Sequence, residues 1–254
     1  MKNNPYILVT NDDGVEAKGI KILEKIAKKI SNNVYIVAPD KEQSAKSHSI
    51  TLTEPLRIKK RSNKCFSVSG TPTDCVILGV NEVMSHKPDL ILSGINCGAN
   101  IADDISYSGT IAAAIEGTLM GIKSIALSQV YLDRKRISWD VSKNYSEELI
   151  SKLFANRWDK NILLNINFPF KLSQNKNYIS ITKQGKRGYE KSLIEKKLDP
   201  RGDHYYWLGY RKQRVAPNDK SDLAAISKGY ISVSPLKLDF THNSSIKNLR
   251  TVFK

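Results

Sequence analysis

Three short, almost purely apolar runs in the first hundred residues each break off at a cluster of acids, amides and hydroxyls. Tyr6 to Thr10 (YILVT) stops at Asn11-Asp12-Asp13-Gly14, and Val34 to Ala38 (VYIVA) stops at Pro39-Asp40 and runs on to Ser44. Asp89 to Ser93 (DLILS) stops at Gly94 and leads through Asn96 to Asn100. Runs this short and this apolar read as strands buried on both faces, which is the pattern of a parallel sheet covered by helices. The intervening stretches supply the helices. Between Ala17 and Ile30, apolar side chains recur at Ile20, Leu23, Ile26, Ala27 and Ile30 with lysines between them. Asp74 to Met84 and the Ala-rich Thr110 to Met120 read the same way, and Ile122 to Ser128 reads as a further strand. Strand–helix alternation implies right-handed crossovers and a three-layer α/β/α, Rossmann-like core with a mostly parallel sheet. In such sheets, ligands bind beyond the carboxyl ends of the strands, where all three polar clusters fall.

The alternation weakens past residue 130. Tyr145 to Phe154 and Asp222 to Ser227 predict helices, and Ile162 to Phe168, Tyr178 to Thr182, Tyr205 to Leu208 and Tyr230 to Ser234 predict strands. Ser49 to Leu56 and Cys65 to Val68 read as a β-hairpin excursion. The 254 residues suit one domain, with a core over about 1–130 plus 160–170. Cys65, Cys75 and Cys97 form neither a disulfide framework nor a zinc motif, which predicts a reducing, cytoplasmic setting. No apolar leader follows Met1, and no run approaches the roughly 18 apolar residues of a membrane span, so no membrane partner is expected. The formal charge of +15 fits an anionic partner or a lysine-rich habit. Groups such as Lys59-Lys60-Arg61 stay short and scattered, so they read first as solvated surface, and a stable nucleic-acid complex is not expected.

The polar clusters bring two carboxylates, hydroxyls and carboxamides to one sheet edge. Such hard oxygen donors suit Mg²⁺, Mn²⁺ or Ca²⁺. Two neighbouring acids in one cleft repel unless a cation compensates them, although a solvated turn with an Asp helix cap accounts for the dipeptide alone. Ser108-Gly109-Thr110 opens the Ala-rich helix, so its free N–H groups and dipole either attract an anion or form an ordinary cap. A cation beside an anion-binding helix end is a layout for phosphoryl transfer to water.

The ordered strings VTNDDG, VAPDKEQS, SHSITL, GTPTDCV, PDLILSGIN, YSGTIAAAIEG, LLNINFP, DPRGDHYYW and GYISVSPL resemble those of the SurE family of survival-protein nucleotidases, from residue 7 to about 236. The resemblance implies a phosphomonoesterase acting on nucleoside 5′-monophosphates, and on 3′-monophosphates as a further option, with one divalent cation, Mg or Mn, per subunit. It puts the metal ligands on Asp12, Asp13, Ser44 and Asn96, and the phosphate side on Asn100, Ser108, Gly109 and Thr110. It implies a homodimer or homotetramer that exchanges C-terminal segments, here about 175–254. Two departures stand out. Ala45 occupies a position where the family often has Gly, which matters only if that backbone has positive φ; Cys97 sits at a position that varies.

The expected chemistry is in-line attack of water on phosphorus with Asp12 or Asp13 accepting its proton; direct attack by Asp12 is the variant. A dinucleotide-dependent oxidoreductase on the same core would need GxGxxG after the first strand, where NDDG stands. A basic, non-catalytic RNA- or nucleotide-binding protein would bind in a salt-dependent, chelator-indifferent way. His48, His86, His204 and His242 lack metal-ligand spacing and read as surface or hydrogen-bonding groups, with His48 close enough to Ser44 in sequence to reach substrate. Glu116 reads as a helix-face residue or a support for the metal, and Tyr205, Tyr206 and Trp207 as an apolar contact or a base-stacking platform.

Overall fold

A computed structural model describes residues 4–133, 135–187, 193–209 and 220–253. The strands are β1 (Ile7–Thr10), β2 (Val34–Pro39), β3 (Ile58–Ser62), β4 (Cys65–Val68), β5 (Leu90–Cys97), β6 (Lys123–Gln129), β7 (Ile162–Phe168), β8 (Ile179–Ile181), β9 (Leu193–Leu198), β10 (His204–Gly209) and β11 (Ile231–Lys237). The helices are α1 (Lys18–Ile30), α2 (Pro72–Leu78), α3 (Gly109–Leu119), α4 (Asp140–Ala155), α5 (Asp222–Ser227) and α6 (Asn243–Val252). Nine strands form one sheet in the order β3-β4-β2-β1-β5-β6-β7-β11-β8, and β9 and β10 form a separate hairpin. The central strands β4, β2, β1, β5, β6 and β7 pair in parallel, while β3 and β11 run antiparallel to β4 and β7.

Alternation along the strands sends side chains to two helical layers. Ile7, Val9, Leu90 and Leu92 pack with Ile20, Leu23 and Ile26 of α1 and with Leu149 and Ile150 of α4. Leu8 and Ile91 face the other way, onto Cys75 and Val76 of α2 and Ala113 of α3. The strands are thus buried on both faces, and their polar ends are gathered at one edge. The expected three-layer core stands.

Several expectations need correction. The partner of β4 is not Ser49 to Leu56 but Ile58–Ser62, exposed along its whole length. Backbone pairing holds this edge strand, and Lys59, Lys60 and Arg61 on it deter further pairing. The 49–56 stretch is tied down by Asp74 instead, which accepts from the Thr51 N–H at 3.0 Å and hydroxyl at 2.6 Å. β5 does not stop at Gly94 but runs on to Cys97, with its register to β6 shifting between Ser93 and Asn96. Gly94 has φ +136°, and a Cβ there would lie 2.3 Å from the Leu127 carbonyl oxygen. The helix expected over 74–84 is α2 followed by a π-helical turn, Gly79–Val83. β9 and α6 were not foreseen. The main sheet also takes in β8 and β11, both from within 175–254. No helix among the described residues is long and apolar enough to cross a membrane.

Candidate active site

Asp12 is separated from the end of β1 by Asn11 alone, is 6% exposed, and lies against the first turn of α3. Its carboxylate accepts from the Thr110 hydroxyl at 2.6 Å. Burial pushes the Asp12 carboxyl up to about 6; the Thr110 hydroxyl opposes this, the Asp13 charge adds to it, and the Thr110 backbone N–H opposes it further. The anion at the positive end of α3 is therefore Asp12 itself. Gly109 makes the approach feasible, because a Cβ there would lie 2.8 Å from Asp12 Cβ and 3.2 Å from the Pro72 ring.

Asp13 is half-buried and accepts from the Cys97 backbone N–H at 3.2 Å. This contact of Cys97 is made through its backbone. Asn96, one residue earlier on β5, is half-buried and donates its carboxamide N–H to the Gly98 carbonyl at 2.9 Å. The loop carrying Ser44 is hung from the same point, since the Gln43 N–H donates to the Asp12 carbonyl at 2.8 Å. Ser44 itself is exposed and donates to Glu42 at 2.7 Å. Ala45 has φ +58°, so the position where the family favours Gly is indeed left-handed.

On the other side, Ser108 caps α3 by accepting from the Ile111 N–H at 3.1 Å, which leaves its own hydroxyl proton available. With the Ile111 N–H engaged by Ser108 and that of Thr110 by Asp12, Gly109 carries the remaining first-turn donor. Asn100 is 7% exposed, and its N–H donates to Asn167 at 2.8 Å. Its carbonyl accepts from Asn165 and Asn167. Its side chain meets the Ser128 hydroxyl at 2.9 Å, and Ser128, as donor or acceptor, satisfies either end of the carboxamide.

The donor set fits a hard divalent cation. Among the described residues, no group of three or more His, Cys, Asp or Glu side chains is placed to hold a metal. A cation here would therefore take two carboxylates and complete its shell with neutral oxygens, as Mg²⁺ and Mn²⁺ do. Asn11 Oδ1, beside Asp12, and the Thr10 and Ser93 hydroxyls are buried without a protein partner, so the floor of the site is polar enough for a hydrated ion.

The profile of the family described as Survival protein SurE matches residues 7–191. The chain belongs to the SurE family. The 5′-nucleotidase SurE of Paramagnetospirillum magneticum is 46% identical over 248 residues, covering 97% of this chain and 95% of that protein. The 5′-nucleotidase SurE of Brucella canis is 47% identical, covering 92% and 93%. A crystal structure of the SurE protein from Aquifex aeolicus superposes with a TM-score of 0.84 at 36% identity, covering 98% of this chain and all of that one.

Sequence reading missed part of the surroundings of the site. His48 and Glu116, which the sequence left between a surface role and one at the site, pair across 2.9 Å, with Glu116 on α3. Asn165 and Asn167 gave a signal, two amides alternating along an otherwise apolar strand. Asp222 gave none beyond its place at a helix start.

Proposed function

We propose that this chain hydrolyses nucleoside monophosphates to nucleoside and inorganic phosphate with one divalent cation, Mg²⁺ or Mn²⁺, held by Asp12, Asp13, Ser44 and Asn96. The observation that carries the reading is a buried carboxylate of raised pKa beside a second acid, with three strand-end loops converging on it. The relatives named 5′-nucleotidase SurE support the substrate class.

Held by these four residues, a divalent cation would offset negative charge on the phosphoryl oxygens. The Ser108 hydroxyl and the Gly109 N–H bind the equatorial oxygens, with the Asn100 carboxamide beside them. Thr110 stands beside them in the first turn of α3, and its hydroxyl orients Asp12. Water attacks phosphorus in line and passes a proton to the carboxylate of Asp12 or Asp13, and the P–O bond to the nucleoside breaks as its oxygen takes up a proton. The test is phosphate release from 5′- and 3′-mononucleotides with Mg²⁺, Mn²⁺ or EDTA. Release that is abolished by EDTA supports the reading, and EDTA-indifferent turnover overturns it.

The chain also works as a homo-oligomer on this reading. The β9–β10 hairpin exposes Ile194 (59%), Trp207 (61%) and Leu208 (78%), and α6 has no buried residue. Apolar surface of this extent marks an interface, and a second copy exchanging its C-terminal segments would cover it.

A further inference from the structure

The substrate-side loop between Gly98 and Ser108 is gripped from far along the chain. Ala102 at its centre is fully buried with φ +54°, a conformation uncommon for a residue with a Cβ. Both of its backbone polar groups are held by C-terminal residues. Its N–H donates to the Asp222 carboxylate at 2.9 Å, and its carbonyl accepts from the Gln184 carboxamide at 3.0 Å. The next two residues are held as well. Asp103 accepts from the Arg187 backbone N–H at 2.6 Å, and Asp104 accepts from the Arg187 guanidinium at 2.8 and 3.1 Å.

Asp222 is the hub of this grip. It is fully buried, and besides Ala102 it accepts from the Gly185 N–H at 2.9 Å and the Leu223 N–H at 2.7 Å. One carboxylate thus joins three backbone segments that are distant in sequence. The grip has a second meaning in the chain order. Gln184, Gly185 and Arg187 precede the β9–β10 hairpin, and Asp222 follows it. These two roots are zipped together, with the Asp222 N–H donating to the Lys183 carbonyl at 3.0 Å. The two roots of the hairpin thereby meet at the loop that carries Asn100 and leads into Ser108.

We propose that Asp222 is a positioning residue for the phosphate side of the site, fixing the 98–108 loop, and with it Asn100 and Ser108, from the roots of the hairpin. The C-terminal half then serves substrate binding as well as association between copies. The proposal rests on the phosphatase reading for which ligand the loop meets, and on the hydrogen bonds alone for which residues hold it.

The test is Asp222→Asn, which keeps the shape but puts an N–H donor where an oxygen accepted one. Isothermal titration with inorganic phosphate on the Mn²⁺-loaded protein is expected to show roughly five- to tenfold weaker binding, with KM for mononucleotides rising in proportion. Mn²⁺ affinity, set by Asp12 and Asp13 on the loop that follows β1, stays within twofold. A merely structural role would lower the unfolding temperature and leave phosphate affinity and KM within twofold of wild type, and that result overturns the proposal. Should Asp222→Asn fail to fold, Asp104→Asn removes a partly exposed partner of Arg187 and is expected to weaken phosphate binding severalfold with unchanged Mn²⁺ affinity. Unchanged phosphate affinity in that variant also overturns the proposal. A wild-type protein that binds phosphate yet releases none from mononucleotides sinks the phosphatase reading instead, while the two variants still decide the positioning role.

Discussion

Replacing Asp12 by Asn should stabilise the metal-free protein while destroying its activity. Burial lifts the Asp12 carboxyl from its ordinary 3.8 to about 6, which corresponds to about 3 kcal/mol against the ionised form in the folded state. Between about pH 4 and pH 6 the folded chain holds a proton that the unfolded chain has released. Stability therefore falls as pH rises through that window, and the full loss is present above it. Asn carries no charge, so the variant escapes this loss, and the about 3 kcal/mol is already net of the stronger hydrogen bond that the Thr110 hydroxyl gives the ionised form. The gain at pH 8 is about 3 kcal/mol, or roughly 6–12 °C in unfolding temperature for a chain of this length. Thermal unfolding in EDTA, run from pH 4 to pH 8, measures it. The difference should be smallest at pH 4, grow up to about pH 6 and hold level above it. Adding Mn²⁺ should raise the wild-type transition and leave the variant's in place. An Asp12→Asn protein less stable than wild type at pH 8 in EDTA would refute the reasoning, because Asp12 would then be held by interactions that already balance its charge.

Three further outcomes follow from the geometry. Gly109→Ala would place a methyl 2.8 Å from Asp12 Cβ, so initial rates should fall roughly hundredfold while the circular dichroism spectrum is kept. Ala45→Gly should leave activity intact and raise stability by up to about 1 kcal/mol in urea unfolding, since Gly adopts the φ of +58° without strain. Trp207→Glu on the exposed hairpin should shift the mass found by light scattering toward the monomer, at a cost of about 2 kcal/mol or more to association.

Much of this architecture is legible in the sequence where burial decides structure. The YILVT and VYIVA runs become strands because no other element hides so many consecutive apolar side chains. The spacing of Ile20, Leu23 and Ile26 gives α1 for the same reason. Legibility fails where backbone pairing decides instead. Ile58–Ser62 is charged and wholly exposed, so nothing in its side chains announces a strand. Gly94 reads as a stop, yet it lets β5 pass close to Leu127 and continue. The site divides along the same line. Asp12, Asp13, Asn96 and Ser108 stand out because each closes a strand or opens a helix beside it. Asn165 and Asn167 show as amides in an apolar strand but their partner does not, and Asp222 gives no sign beyond its place at a helix start; the three act on the 98–108 loop from 65 to 120 positions away, a distance that no local pattern spans.

The central claim is that Asp12 and Asp13 jointly hold a divalent cation. A crystal grown with Mn²⁺ and measured for anomalous scattering tests it most directly. The account predicts one strong peak bonded to both carboxylates at about 2.0–2.6 Å, with Asn96 and Ser44 oxygens turned toward it. A map with no peak between the two acids, or with the ion seated elsewhere on the chain, would contradict it.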